Sequence, residues 1–164
     1  MMFRPMRRKN QLLPQHETEA ILLENTAGTL ALLGDGGYPY ALPMSYVYAG
    51  GKIYFHCASE GHKLDAVRQY EKCSFCVIAK DEVVAEKLTT FFRSVIAFGR
   101  IRVLENIDEI RTAMTVLGAK YAPAHPQKIQ QEIDDSMHHL CVMEMTIDHM
   151  TGKEAIELVR ARKG

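Results

Sequence analysis

The chain has 164 residues and a mass of 18.5 kDa, with 20 basic and 20 acidic side chains and therefore no formal net charge and a pI near 7. That length fits one domain, large enough to bury a core without disulfides or metals. Neutrality argues against an extended nucleic-acid footprint or a polybasic membrane surface, and no run approaches the roughly 18 apolar residues of a membrane helix, so small molecules or proteins are the expected partners and the cytoplasm the expected compartment.

In chain order, residues 1–15 hold Arg4, Arg7, Arg8 and Lys9 with no acid and are expected to form an N-terminal arm, loose or docked. The domain proper is expected over 16–155. His16 to Glu24 combines helix formers with an apolar cluster, Ala20 to Leu23, and predicts a short helix closed by Asn25 to Gly28. Strand texture follows in GTLALLG, YALPMSYVY and KIYFHC, separated by Gly36-Gly37 and Gly50-Gly51. Such pairs supply the positive φ of tight hairpins, so an antiparallel meander is expected, with Pro43 confining part of the second strand to an edge or a bulge.

Ser59 to Tyr70 predicts a helix inserted in the sheet, with a serine available as its cap. CSFCVIA and FFRSVIAFGRIRVL are the next strands; in the latter Val95, Ala97, Ile101 and Val103 share a face unless Gly99 marks a bulge. Asn106 is placed to cap a longer helix with an apolar stripe at Ile110, Met114, Leu117 and Tyr121, ended by Pro123 and Pro126. A weaker helix over 124–136, a last strand over 139–147 and a charged tail over 156–164 complete the chain. The fold expected is mainly β with peripheral helices: about six antiparallel strands in a small closed or split barrel.

The common phosphate-loop, dinucleotide, serine-hydrolase and zinc-protease signatures are absent. Cys73-x-x-Cys76 lies in a strand, where residues three apart point to opposite faces, which disfavours a shared metal or disulfide. His138 and His139, adjacent on an expected strand, are likewise disfavoured as a metal pair. What remains is FHCASEGHKLD, residues 55–65, joining a strand end to a helix start. Free amides, a positive helix end, Gly61 and Lys63 there would favour a phosphate, although the same residues also read as plain turn and surface.

Taken together, residues 28–67 with FFRSVIAFGRIRVL and MTIDHMTGKEA resemble the flavin-binding split-barrel family related to pyridoxamine 5′-phosphate oxidase, and within it the nitroimidazole-resistance (Nim) type. The resemblance implies a six-stranded split barrel, a homodimer packed barrel to barrel, and two FMN molecules in the clefts between subunits. By motif it places Met44, Ser45, Tyr46 and Val47 along the flavin ring, His56, Cys57 and Ala58 against the ring and ribityl chain, and Gly61, His62, Lys63 and Leu64 at the phosphate. Arg93, Ser94 and Val95 would reach cofactor or substrate from the same or the other subunit. The implied activity is FMN-dependent reduction of a small molecule, with NAD(P)H as a donor, His56 or His62 as a proton donor and a nitro group as one implied substrate. The alternatives are a flavin-binding sensor without catalysis and a haem-handling split barrel.

Overall fold

The computed structural model describes residues 2–163. The elements in order are α1 (Gln15–Glu24), β1 (Ala27–Leu33), β2 (Pro39–Ser45), β3 (Val47–Ala49), β4 (Lys52–Cys57), α2 (His62–Gln69), β5 (Lys72–Val84), β6 (Thr89–Val103), α3 (Ile107–Tyr121), α4 (Pro126–Ser136), β7 (Cys141–Glu154) and α5 (Ile156–Lys163). All seven strands join one antiparallel sheet in the order β2-β1-β5-β6-β7-β4-β3. None of the helices among the described residues is long and apolar enough to cross a membrane.

That order explains why six expected strands are observed as seven. The second expected strand breaks at Tyr46, and its halves β2 and β3 lie at opposite ends of the sheet. Laid flat, seven strands ~4.8 Å apart would separate those ends by roughly 29 Å. The single residue between Ser45 and Val47 spans at most about 7 Å. The sheet therefore curls until its edges meet at Tyr46, and the two edges are joined by the chain rather than by a ladder. This is a split barrel.

Tyr46 is buried and is held from several sides. Its hydroxyl donates to the Leu22 carbonyl at 2.8 Å, and its N–H lies 3.2 Å from Thr26 O and 3.1 Å from the Tyr121 hydroxyl. The ring meets Phe75 edge-on at 4.9 Å, and Phe75 meets Phe55 in the same way at 5.2 Å, so aromatic packing fills the barrel interior. Burial, with Tyr121 second, raises the Tyr46 phenol above its ordinary pKa.

The two glycine pairs turn the β1–β2 and β3–β4 hairpins with positive φ, and Pro43 lies on the edge strand β2. Gly99 does sit at a register shift, but the extra residue, Asp148, belongs to β7, so β6 keeps its alternation and Val95, Ala97, Gly99 and Ile101 all point inward. A Cβ on Gly99 would lie 2.1 Å from the Thr146 carbonyl oxygen, which is why the position takes no side chain. Cys73 and Cys76 occupy opposite faces of β5, as their spacing predicts.

Four local expectations need correction. Ser59 does not cap α2; Gly61 precedes the helix with φ 124°, and no side chain caps it. His138 and His139 lie in the turn after α4 rather than on a strand. The last strand continues beyond Ile147 to Glu154, because Asp148 is accommodated as a bulge. The 156–163 segment, read as a charged tail, is α5, with Val159 buried and Arg162 paired to Glu17 and Glu154. The arm also docks: Leu13 is buried and Leu12 bridges Lys153.

Candidate functional site

Outward-facing residues of the barrel wall alternate with its core residues, so β4 presents His56 outward between buried Phe55 and Cys57. Ser45 is exposed at the end of β2, next to the break. Helix α3 passes over both. Asn106 starts it, its side-chain oxygen accepting from Asp108 N–H at 2.9 Å and Glu109 N–H at 3.1 Å. Ile110 and Ala113 pack on Leu104 and Val142, leaving Met114, Gly118 and Tyr121 along the outer barrel wall.

Two neighbouring cavities result. One, of about 330 Å³, is bounded by Ser45 and His56 on the sheet and Met114, Leu117, Gly118 and Tyr121 on α3. The other, of about 360 Å³, shares His56, Met114 and Gly118 and extends under α4, where His125, Lys128 and Glu132 bring polar groups to an otherwise largely apolar wall. Tyr121 fixes the helix over the break: its hydroxyl lies 2.7 Å from Thr26 O and 2.9 Å from Tyr46 O, with one proton to donate. Lys120 covers the Tyr46 ring at 4.3 Å and donates to Asn25 O; burial lowers its pKa.

Beyond His56, β4 ends in Cys57 and the chain passes through exposed Ala58, Ser59 and Glu60 to Gly61. With no capping side chain, the first amides of α2 are available to an anion, and His62 and Lys63 occupy the first turn. Lys63 is half-buried and near enough to Cys57 to pull its thiol pKa down against the larger upward effects of burial and Cys141, which leave it at about 12. His62 stacks on Tyr40 with ring centroids 4.2 Å apart, and its Nε2 is 3.6 Å from an Asp35 carboxylate oxygen. Leu64 is fully buried and anchors the helix.

The structure thus brings Ser45 and His56 to one cavity and places the 61–64 turn just beyond the end of the same strand. Met44, Tyr46 and Val47 point into the protein, so only their backbone can face a ligand. Arg93, Ser94 and Val95 stand apart from these cavities. Val95 is core. The Arg93 guanidinium lies between Glu17 at 2.5 Å and Glu154 at 3.1 Å, and Arg162 pairs with the same two carboxylates. The contributions of Met114, Gly118, Tyr121 and His125 were not apparent in the sequence, because an apolar helical stripe reads as core. The one available signal was the Gly118 interruption of that stripe.

The edges of the barrel are joined by the chain, and the strand that carries His56 to the cavity runs on toward an uncapped helix start. A sequence profile described as Pyridoxamine 5′-phosphate oxidase matches residues 14–154, and the chain belongs to that family. A search of curated protein sequences finds no match. Among solved structures, it is similar to a candidate 5-nitroimidazole antibiotic resistance protein from Bacteroides thetaiotaomicron, with 21% identity over 87% of this chain and 86% of that one and a TM-score of 0.72. It is also similar to the flavocytochrome Anf3 from Azotobacter vinelandii, at 17% identity over 93% and 72% of the two chains with a TM-score of 0.79. The FAD- and haem-binding protein from Mycobacterium smegmatis gives 19% identity over 95% and 81%, with a TM-score of 0.78. At these identities the likeness is one of fold.

Proposed function

We propose that the protein is an FMN-dependent oxidoreductase of small molecules, and that reduction of a nitro group is the first activity to test. The observation that carries this reading is the convergence of Ser45 and His56, from two separate motif segments, on one cavity whose strand runs on into the uncapped start of α2. The residues fit the group. The α2 amides and Lys63 would hold its phosphate, the backbone of Met44 to Val47 would follow the ring, and the apolar faces of Met114 and Gly118 would exclude water. When bound, the flavin supplies one- or two-electron transfer. His56 stands at both cavities, where its imidazole would hold a proton for a reduced substrate.

The partner we propose is a second copy of the chain. The outward face of β5 and β6 carries Ile78, Ile96 and Phe98 in adjacent register, all substantially exposed, and Val83 and Leu88 are exposed further along the same hairpin. An apolar strip of this kind is characteristic of an interface.

The test is a visible spectrum of the purified protein, followed by thermal melts with FMN and with FAD. Yellow protein, or a melting temperature raised by FMN, is expected; colourless protein that neither flavin stabilises overturns the reading. Anaerobic NADH or NADPH then separates an enzyme, whose flavin bleaches, from a flavin-binding sensor, whose flavin stays oxidised.

One observation favours a haem reading as the second choice: His56 and His125 line the same cavity, and two of the structural relatives are by their descriptions a flavocytochrome and a haem-binding protein. Titration with haem decides it, since an unchanged Soret band removes this alternative.

A further inference from the structure

Cys57 closes β4 and Cys141 opens β7, and the two are direct partners in the antiparallel ladder. Residues paired in that way have Cα atoms about 4.5 or 5.5 Å apart, according to the type of pair, and side chains on the same face. Both spacings fall in the roughly 4.4–6.8 Å range that a disulfide requires. The two are not bridged, and both point into the protein, 9% and 7% exposed. Neither of the other cysteines has such a partner. Cys73 and Cys76 sit on opposite faces of β5, and the Cys73 sulfur lies 3.7 Å from the Gly99 carbonyl.

His56 precedes Cys57 and Leu140 precedes Cys141, and both of those neighbours line the 360 Å³ cavity under α4, whereas the two cysteines face the protein interior. Lys63 is the cation near Cys57. The cross-strand pairing of the two cysteines has no role in the flavin reading, which draws on Lys63 for the phosphate and His56 at the cavity.

We propose that Cys57 and Cys141 are a dithiol modification site, oxidised reversibly by hydroperoxides to a cross-strand disulfide. The Cys57 thiolate attacks the peroxide: an S–O bond forms, the O–O bond breaks, and the alcohol or water leaves with the proton. The Cys141 sulfur then attacks the sulfenic sulfur, forming S–S and expelling water. Two thiols lose two electrons, and one hydroperoxide is reduced to an alcohol and water. Lys63 lies near Cys57 and acts on its thiol in the direction of the anion, against the larger opposing effects of burial and Cys141, and Cys57 is accordingly assigned as the attacking sulfur and Cys141 as the resolving one.

The test treats the purified full-length protein with hydrogen peroxide, alkylates the remaining thiols under denaturing conditions and maps peptides by mass spectrometry. The expected result is a peptide holding Cys57 joined to one holding Cys141, two hydrogens lighter than the separate peptides and released by dithiothreitol, while Cys73 and Cys76 are alkylated. In Cys141→Ser the linked peptide is absent and Cys57 becomes labelled by dimedone. Should that variant not fold, the wild-type map decides alone. Recovery of all four cysteines alkylated, conversion of Cys57 or Cys141 to sulfinic acid without a linked peptide, or a Cys73–Cys76 link would overturn the proposal.

Discussion

At the scale of single residues, Lys63 and Tyr46 serve different ends. Lys63 stands in the first turn of a helix, where its own charge is mildly unfavourable against the helix dipole, so an anion there would offset a local cost. Lys63→Ala should weaken FMN binding by about 1.5–3 kcal/mol, the range for charged hydrogen bonds, and leave the unliganded melting temperature nearly unchanged. An unaltered FMN dissociation constant by fluorescence titration would remove Lys63 from the phosphate site. Tyr46 acts on folding. Its hydroxyl satisfies the carbonyl of Leu22, one of the orphan acceptors in the last turn of α1. Tyr46→Phe keeps the ring contacts and strands that carbonyl, so denaturant melts should show a loss of about 1–3 kcal/mol. A variant as stable as the parent would mean that the bond contributes nothing net.

At the scale of elements, the sequence was most legible where local chemistry decides the outcome. Asn106 capped its helix, the glycine pairs made their turns and Pro43 went to an edge, each because a backbone requirement has few solutions. The break at Tyr46 was less legible, although it had a trace. Leu42, Met44 and Tyr46 keep strict alternation, and Val47 is then buried beside Tyr46, a change of phase that two separate strands explain and one cannot. The outer part of the β5–β6 hairpin was missed because DEVVAEKL is charged and open to solvent on both faces, which leaves no periodicity to read. Likewise the candidate site was half visible. Lys63 was marked by its place at a helix start and Ser45 and His56 by the family resemblance, whereas the α3 and α4 walls looked like ordinary packing surface. The exposed strip on β5 and β6 carries its own prediction. If the proposed homodimer packs through this strip, Ile96→Glu should convert it into a monomer in sedimentation experiments, raising the dissociation constant at least about a hundredfold, or ~2.7 kcal/mol. A monomeric parent, or a variant that still sediments as a dimer, would remove the strip as a dimer interface.

At the scale of the whole molecule, a neutral total conceals internal pairing. Glu144 is 5% exposed and receives Lys52 at 2.9 Å and Arg102 at 2.9 Å. Burial alone would raise its carboxyl, but these two hydrogen bonds outweigh burial and hold it below the ordinary carboxylate value. A depressed folded-state pKa means that the contribution is complete above the unfolded value, about 4.3, and disappears as pH falls through the folded one. Glu144→Gln should therefore cost about 1–3 kcal/mol at neutral pH, with the gap to wild type narrowing below about pH 4. Denaturant midpoints measured from pH 7 to pH 3 check this, and a constant gap would show that the carboxylate's charge is not what matters.

The closure at Tyr46 also sets an order of events during folding. The β1–β2, β3–β4 and β5–β6 hairpins join neighbours in the sequence and can form early. The ladder between β4 and β7 must wait for a strand that begins at Cys141, and until it forms, the β3–β4 hairpin has no sheet to join on that side. Long-range pairing of this kind slows folding because loop entropy is lost before contacts compensate for it. The barrel should accordingly be the last feature to acquire hydrogen-exchange protection during refolding, with the amide of Tyr46 among the late ones.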